Sequence, residues 1–227
     1  MPDKVKYIAH RGYSGAECEN TLQAFKLACE SGFYGAECDV HVTSDGKYVV
    51  FHDDETGRMC FENVAVEKSD YNKLRSLEFR RGAQYKIPDL REYLTCLKQG
   101  GIAAVIELKN PMRAQNINEI IEICRQYYSL DKIIFISFCF ENLIEVKKVL
   151  PEQKIQLLTC AVTEELADKL RDLNFGIDAD RIILNENTAA ILRERKIPIN
   201  CWTCDDRAEA DRLVSLGAEY ITTNVLR

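Results

Sequence analysis

Short runs rich in β-branched and aromatic residues alternate with amphipathic stretches along nearly the whole chain. We predict eight strands from these runs, at residues 5–9, 36–41, 103–107, 133–137, 155–159, 181–184, 198–202 and 219–222. Apolar residues at helical spacing predict intervening helices near residues 21–31, 89–99, 114–128, 140–149, 163–173, 187–195 and 205–216. Strands separated by helices pair in parallel through right-handed crossovers. The pattern therefore predicts an α/β fold, a (β/α)8 TIM barrel.

The second predicted strand is followed by a hairpin and then by a less regular segment. The turn Ser-Asp-Gly at residues 44–46 precedes an apolar run at 47–52, which we interpret as the return arm of the hairpin. This arm brings His52 back to the mouth of the barrel. Residues 54–87 carry scattered charges and no clean strand, and we interpret them as a short insertion after strand 2. No linker or repeat divides the chain, so we expect residues 1–227 to form a single domain.

Acidic side chains gather at the carboxyl ends of the predicted strands, where barrel enzymes place their active sites. Glu37 and Asp39 are two residues apart in one strand, so both side chains project to the same face. Glu107 ends another apolar run, and Lys109 follows two residues later on the same side. Three carboxylates that converge from strand ends predict a site for a hard divalent cation such as Mg²⁺ or Ca²⁺.

Two of the three histidines, His10 and His52, each stand where an apolar run ends. With the acidic residues between them, this arrangement indicates phosphodiester chemistry. That reaction needs a base to accept a proton and an acid to protonate the leaving alkoxide, and imidazoles titrate near neutral pH. Ser137 has no histidine in its motif, and no cysteine stands in one, so we expect water or a hydroxyl of the substrate to be the nucleophile. We expect Arg11 and Lys109 to contact the anionic phosphate.

The charge balance excludes some partners. Lys and Arg number 30 against 36 Asp and Glu, which gives a net charge of −6 and argues against nucleic acid. A phosphodiester is also an anion, so its attraction must come from a local positive centre. Residues 1–10 show no apolar signal core, and no run reaches the length of a membrane span. The ten cysteines are scattered and best interpreted as reduced thiols of a cytoplasmic protein that does not insert into a membrane.

These residues, in this order, resemble the glycerophosphodiester phosphodiesterase family. The motifs that carry the resemblance are His10, Arg11 and Gly12; Glu19, Asn20 and Thr21; Glu37 with Asp39; Thr43, Asp45 and Gly46; His52 with Asp53; Ile87, Pro88 and Leu90; and Glu107 with Lys109. Weaker similarities are Ser137 with Phe138, Trp202 with Thr203, and the ending at residues 217–224. The chain departs from the family pattern at Cys139, at residues 204–206 and at Asn224, where an Asp is common. We expect these departures to lie outside the metal and histidine set, and therefore to affect substrate fit rather than the chemistry.

The resemblance implies metal-dependent hydrolysis of small-molecule glycerophosphodiesters to sn-glycerol 3-phosphate and an alcohol. It implies that His10 and His52 are the general acid and base, in an order that the sequence leaves open together with the head group, the metal and the oligomeric state. Two alternatives keep the same residues. One is a phospholipase D-like lyase on the same barrel, and the other is a barrel that only binds a phosphorylated ligand.

Four further positions each keep two interpretations. Glu19 is either a charge at a helix N-terminus or a support for the site, and Asp53 either orients His52 or caps a turn. Trp202 either packs in the core or forms an apolar wall for the alcohol at the mouth. His41 shares the face of the acidic strand residues, and we interpret it as a polar residue of the barrel interior or a support for the site.

Overall fold

The computed structural model describes residues 5–227 and contains a closed barrel of eight parallel strands. The barrel strands and one hairpin strand are β1 (Lys6–Ala9), β2 (Gly35–Val42), β3 (Tyr48–Val50), β4 (Ala103–Leu108), β5 (Ile133–Ser137), β6 (Lys154–Thr159), β7 (Gly176–Asp180), β8 (Ile199–Trp202) and β9 (Tyr220–Thr223). The α-helices are α1 (Leu22–Glu30), α2 (Tyr71–Ser76), α3 (Leu90–Gly100), α4 (Ala114–Tyr127), α5 (Phe140–Val149), α6 (Glu164–Asp172), α7 (Glu186–Glu194) and α8 (Arg207–Ser215). Neighbouring strands pair in the order β1-β2-β4-β5-β6-β7-β8-β9, and β9 pairs with β1. The predicted (β/α)8 barrel is confirmed.

Alternation along the strands separates two environments. Outward-facing residues of the strands pack with the helices in one large apolar cluster, which includes Phe25, Leu94 and Ile106. Inward-facing residues form a smaller cluster of Ile8, Val105, Ile134, Ile136, Leu158 and Tyr220. In β2 the outward positions are apolar, and the inward positions are Glu37, Asp39 and His41. Because side chains alternate across a strand, one short segment therefore supplies both core packing and buried polar groups.

The helices begin at polar caps that fix the preceding loops. Thr21 caps α1 by accepting a hydrogen bond from the backbone N–H of Ala24. Asp89 and Glu92 form a capping box at the start of α3, and Gly101 ends that helix with φ of 70°, a conformation that glycine adopts without strain. Within residues 5–227, no helix is both long enough and apolar enough to cross a bilayer.

The predicted hairpin and insertion follow β2. β3 pairs antiparallel with β2, with Val49 opposite His41, so the return arm is confirmed over residues 48–50. The segment 54–87 contains α2 and two 3₁₀ turns, which the sequence pattern did not predict. It has an apolar cluster of its own, with Cys60, Leu74 and Phe79 fully or almost fully buried. The insertion is therefore an ordered part of the fold.

The prediction of a strand at residues 181–184 is wrong, because the strand is β7 at 176–180. The apolar residues after β7 enter a turn in which Asp180 accepts a hydrogen bond from the backbone N–H of Ile182. The side chain of Ile182 is 72% exposed. The strand itself contains Asp178, which is buried inside the barrel and makes the segment look polar in sequence.

Candidate active site

Three carboxylates come together at the carboxyl ends of β2 and β4. Asp39 of β2 stands opposite Glu107 of β4 in the parallel register, and Glu37 lies two residues earlier on the same face. One oxygen from each carboxylate lies within 4.8 Å of the others, and all three side chains are buried. The convergence predicted from strand alternation is therefore present.

Because these carboxylates are buried close together, the pKa values of two of them are raised and that of the third is lowered. Burial, followed by the charges of Asp39 and Glu107, raises the pKa of Glu37 well above its usual value. Burial and the charge of Asp39 likewise raise the pKa of Glu107 to about 7. Burial also acts on Asp39, but the positive charges around it, led by Lys109, lower its pKa. Full ionisation of all three carboxylates is thus unfavourable without a further positive charge.

Two cations border the carboxylates. The Nζ of Lys109 lies 3.0 Å from Glu107 Oε1 and 3.3 Å from Asp39 Oδ1. The backbone N–H of Arg11, at φ of 53°, donates to Glu37 Oε2 at 2.8 Å, and its Nε lies 3.7 Å from Asp39 Oδ2. A left-handed φ is uncommon outside glycine and indicates that the surrounding contacts fix the loop. Lys109 and Arg11 thus place positive charge directly beside the carboxylates, where it can attract an anionic group.

The donor set fits a hard divalent cation. Carboxylate oxygens are the ligands that Mg²⁺ and Ca²⁺ prefer, and a dication would relieve the repulsion that raises the pKa values of Glu37 and Glu107. Asn20 lies beside them, and its Nδ2 donates to Asp39 Oδ2 at 2.7 Å. Among residues 5–227, the buried Oδ1 of Asn20 has no hydrogen-bond partner. A cation bound by the carboxylates would give this amide oxygen a partner, so Asn20 also fits a cation site.

His10 has a partner that we did not expect. Its Nδ1 lies 2.8 Å from Oδ1 of Asn224, just beyond β9. Burial, and then the positive charge of Arg11, lower the pKa of His10 below its usual value. The expectation that Asn224 lies outside the histidine set is wrong, because closure of the barrel by β9 and β1 brings the end of the chain to His10.

His52 also has a hydrogen-bond partner, the carboxylate of the next residue in the chain. Its Nδ1 lies 2.7 Å from Asp53 Oδ1, so Asp53 contacts the ring it was predicted to orient. Burial opposes ionisation of Asp53, but hydrogen bonds from Arg58 and His52 lower its pKa to about 2. Arg58 also donates to Glu19, which accepts a further hydrogen bond from Arg11. Glu19 and Asp53 thus join the two histidine loops through the insertion.

His41 is fully buried and does not join the three carboxylates that form the metal-type cluster. Its Nδ1 lies 3.1 Å from Glu67 Oε1 in the insertion. Its Nε2 lies 3.4 Å from the backbone carbonyl of His52. The position is that of a residue that holds the backbone under His52.

Two aromatic rings stand at the mouth. The rings of Trp202 and Phe138 meet edge to face, with centroids 5.6 Å apart, and Phe138 is 51% exposed. The indole N–H of Trp202 donates to the carbonyl of Asp178 at 3.1 Å. Ser137 is buried, and its hydroxyl donates to the carbonyl of Leu108. The tryptophan therefore has both a structural anchor and a place beside the opening.

Several residues of the site were not identified from sequence. These are Arg58 and Glu67 in the insertion, Asp205 before α8, and Asn224 as a partner of His10. Each contacts a site residue that is distant in the chain, so no local spacing marks it. For Asn224, the departure from an expected acidic residue was a signal, and we assigned it to substrate fit.

Comparisons with known proteins agree with this geometry. The model of the glycerophosphoryl diester phosphodiesterase family matches residues 10–226. A glycerophosphodiester phosphodiesterase from Caldanaerobacter subterraneus subsp. tengcongensis is 28% identical over 97% of this chain and 94% of its own length. One from Bacillus altitudinis is 30% identical over the same shares of both chains, 97% and 94%. An Oleispira antarctica phosphodiesterase, solved in complex with the product sn-glycerol-3-phosphate, superposes with a TM-score of 0.90 at 25% identity, over 96% of this chain and 92% of that one. The chain therefore belongs to the glycerophosphoryl diester phosphodiesterase family of enzymes.

Proposed function

We propose that this protein hydrolyses glycerophosphodiesters to sn-glycerol 3-phosphate and an alcohol with the help of a divalent cation. The observation that carries the proposal is the cluster of three buried carboxylates with Lys109 and Arg11 at the barrel mouth. His10 and His52 lie close enough to the cluster for their charges to act on one another and on Asp39. The product-bound relative supports a small glycerophosphodiester as the substrate.

The binding step uses the fixed cations. Arg11 and Lys109 hold the phosphate by charge-assisted hydrogen bonds, Lys109 as a compact point charge and Arg11 with several donors. A Mg²⁺ or Ca²⁺ ion held by Glu37, Asp39 and Glu107 would stabilise charge that develops on a nonbridging phosphate oxygen. Trp202 forms an apolar wall for the alcohol.

The acid and base roles follow from what each histidine faces. His10 Nδ1 faces an amide carbonyl, so the neutral ring carries its proton there and leaves Nε2 free to accept one. Burial lowers the pKa of His10 and favours its neutral ring, whereas His52, whose Nδ1 faces the carboxylate of Asp53, takes the remaining role. We therefore assign His10 as the base and His52 as the acid that protonates the leaving alkoxide. Each role typically contributes about 10²–10⁴-fold in rate.

The nucleophile comes from the substrate. Ser137 is not available as a nucleophile. Its hydroxyl donates to the carbonyl of Leu108, and its oxygen accepts a hydrogen bond from the N–H of Cys139. The hydroxyl next to the esterified glycerol carbon has a large effective concentration compared with water. We propose that it loses its proton to His10 and attacks phosphorus, while the bond between phosphorus and the head-group oxygen breaks and the alcohol leaves with a proton from His52. Water then opens the resulting cyclic phosphate to give sn-glycerol 3-phosphate. A substrate that lacks this hydroxyl should bind normally and turn over very slowly, and rapid turnover would instead indicate direct attack by water.

The decisive assay measures release of sn-glycerol 3-phosphate from glycerophosphocholine after EDTA treatment, and then with Mg²⁺, Ca²⁺ or Mn²⁺ added back. We expect activity only with metal, and we expect Glu107→Gln to abolish most of it. Glu194→Gln, at an exposed surface position, is the matched control and should behave as the wild type. Full activity in EDTA would refute metal dependence, and no product with any metal would favour the ligand-binding alternative.

We also propose a single domain and a cytoplasmic location. The pairing of β1 near the start of the chain with β9 near its end supports one cooperative domain for residues 1–227. Six of the ten cysteines are buried, and all are free thiols, as the interpretation of reduced apolar residues requires.

A further inference from the structure

A chain of hydrogen bonds stands behind His10, on the side away from its free Nε2. Nδ1 of His10 lies 2.8 Å from Oδ1 of Asn224. The hydroxyl of Ser14 donates to the same oxygen at 2.7 Å. The amide Nδ2 of Asn224 donates to Oδ2 of Asp205 at 2.6 Å. The three partners come from the loops after β1, β8 and β9 and meet only because the barrel closes.

The polarity of this chain is fixed at its far end. A carboxylate can only accept hydrogen bonds, so Asp205 requires the NH₂ group of Asn224 to face it. The carbonyl oxygen of Asn224 must then face His10 and Ser14, and its two lone pairs match these two donors. An acceptor at this place requires that Nδ1 of His10 carries a proton.

Asp205 is itself held in place. Its Oδ1 accepts hydrogen bonds from the backbone N–H of Asn224 at 2.7 Å and from the hydroxyl of Thr223 at 2.9 Å. These contacts leave Oδ2 directed at the side-chain amide. The carboxylate is therefore locked to the same strand end that carries Asn224, and the pair acts as one unit.

We propose that Asn224, oriented by Asp205, is a positioning residue that holds His10 in the tautomer with the proton on Nδ1. The inference rests on the proposed function, since it is the free Nε2 of this tautomer that serves as the base. A histidine in the other tautomer would present a donor to the substrate and could not accept a proton there. The state of the ring is thus set by a pair of residues that meet its Nδ1 side, opposite the Nε2 that serves as the base.

The first test reads the tautomer directly. The protein has three histidines, so ¹⁵N labelling of their rings gives a simple spectrum, in which His10→Gln identifies the signals of His10. With saturating Mg²⁺ we expect the neutral ring of the wild type to be protonated on Nδ1. Asn224→Leu removes the acceptor at similar volume and should give a mixture of tautomers. It should also lower kcat by about 10- to 100-fold, as loss of an orienting partner typically does, with little change in KM.

Asp205→Ala is the second variant and protects the test if Asn224→Leu does not fold. It leaves the amide of Asn224 in place but free to turn, so we expect a mixture of tautomers at His10 and a smaller loss of kcat. Asp211→Asn, on the exposed face of α8, is the control and should change neither reading. If His10 keeps its proton on Nδ1 in both test variants, the proposal is wrong and the pair is only structural.

A swapped pair separates orientation from simple packing. In the double variant Asn224→Asp/Asp205→Asn, the new amide at position 205 can donate to the new carboxylate at position 224, and that carboxylate accepts from His10. We expect the tautomer and most of kcat to be restored. The new negative charge raises the pKa of His10, so the acidic limb of the pH–rate profile moves to higher pH. The charged groups that already act on His10, Arg11, Asp39 and His52, are unchanged in this variant.

Failure of the double variant to recover above Asn224→Leu would overturn the proposal. The spectrum reports the tautomer whether or not glycerophosphocholine is hydrolysed. An inactive wild type with the expected tautomer would therefore count against the proposed function alone, and an active wild type with the proton on Nε2 would count against the positioning role alone.

Discussion

At the level of single residues, the two histidines differ in what stands behind each ring. His10 faces the neutral amide of Asn224, whereas His52 faces the carboxylate of Asp53. Each of these oxygens accepts a hydrogen bond from the Nδ1 of its ring, and burial lowers the pKa of His10. A lowered pKa favours the neutral ring that a base requires, in line with the proposed assignment of His10 as the base and His52 as the acid.

This assignment predicts a dependence on the leaving group. In a p-nitrophenyl ester of glycerol phosphate, the leaving group is p-nitrophenolate, which departs without protonation. Cleavage of this analogue therefore does not need the acid. We expect His52→Ala to lower kcat about 10²-fold or more on glycerophosphocholine, and to lose most of that defect on the p-nitrophenyl analogue. His10→Ala should be slow on both substrates, because the base is needed for either. Steady-state kinetics on the two substrates measures both effects.

The third histidine is the internal control for this experiment. His41 contacts the backbone of His52 and not its ring, so His41→Ala should be far milder on both substrates. The double variant of His10 and His52 should cost much less than the product of the single losses, because the two residues work as a unit. A His41 variant as slow as the His10 variant, or rescue of His10→Ala by the better leaving group, would contradict the assignment.

Local spacing was enough to predict one part of the site. The face shared by Glu37 and Asp39 follows from the two-residue period of a strand, and Glu107 joins them because adjacent parallel strands end together. Asn224 could not be predicted as a partner of His10, since 214 positions separate them in the chain. Such a contact depends on how the barrel closes, which no short segment encodes.

At the level of elements, the insertion connects loops that the barrel alone leaves separate. Arg58 lies on its first 3₁₀ turn and donates to both Glu19 and Asp53. Glu19 belongs to the loop of His10, and Asp53 directly follows His52. The sequence predicts residues 54–87 only as a short insertion without regular elements, because its charges show no periodicity and its small core comes from side chains scattered along it.

Removal of this link should therefore affect activity more than stability. Arg58 is 47% exposed, so its ion pairs are screened, and Arg58→Ala should cost less than about 1 kcal/mol of unfolding free energy. We expect a several-fold loss of kcat, because Asp53 is then free to turn away from His52. Urea unfolding measures the change in stability, and steady-state kinetics measures the change in kcat. Arg58→Lys keeps the positive charge but not the two-pronged guanidinium, so its kcat should fall between those of the wild type and Arg58→Ala.

The stability difference in that series has a definite pH dependence. The pKa of Asp53 is lowered to about 2, below its usual value. A carboxyl group whose pKa is lower in the folded protein than in the unfolded chain stabilises the fold at neutral pH. This stabilisation is lost as the pH falls through the pKa of the folded state. The difference between wild type and Arg58→Ala should therefore shrink in a descending pH series. A difference that grows on acidification would show that another group dominates.

The misplaced seventh strand shows where element prediction failed. A strand that lines a barrel with polar side chains loses the continuous apolar run that marks other buried strands. Asp178 points into the barrel, while Ile177 and Ala179 pack outward against the helices. The more apolar segment that follows was chosen instead, although Ile182 is exposed. Strands β1, β2, β4, β5, β6, β8 and β9 were found because their outward or inward faces kept enough apolar residues.

At the level of the whole molecule, the proposed cation site in the carboxylate cluster would couple metal binding to folding. A ligand that binds only the folded state adds about 2.7 kcal/mol at a concentration of one hundred times its Kd. For a protein of 227 residues this corresponds to a rise of roughly 5–10 °C in Tm. We expect Mg²⁺ or Ca²⁺ to produce such a shift in calorimetry and EDTA to reverse it.

The Glu107→Gln variant tests the source of that shift. An amide removes one negative charge from a crowded group, so the metal-free variant should melt at or above the wild-type temperature. Metal should then raise its Tm much less, because a charged ligand has been lost. Glu194→Gln should show the full wild-type shift. An equal shift in wild type and Glu107→Gln would place the cation elsewhere.

The net charge of −6 affects every anionic substrate before it reaches the mouth. In water, a unit negative charge roughly 20 Å from the centre of a molecule of this size meets a repulsion of about 1 kcal/mol, or roughly fivefold in local concentration. Salt removes much of this repulsion, since the Debye length falls from about 30 Å at 0.01 M to about 10 Å at 0.1 M.

Glycerophosphocholine has no net charge and glycerophosphoglycerol is an anion, so the two substrates differ in their long-range repulsion from the protein. We expect kcat/KM for glycerophosphoglycerol to rise about twofold over that range of NaCl, while kcat/KM for glycerophosphocholine stays nearly constant. If the anionic substrate instead slows as salt is added, the local positive centre of Arg11, Lys109 and the bound cation governs the approach, and the charge of the whole molecule does not.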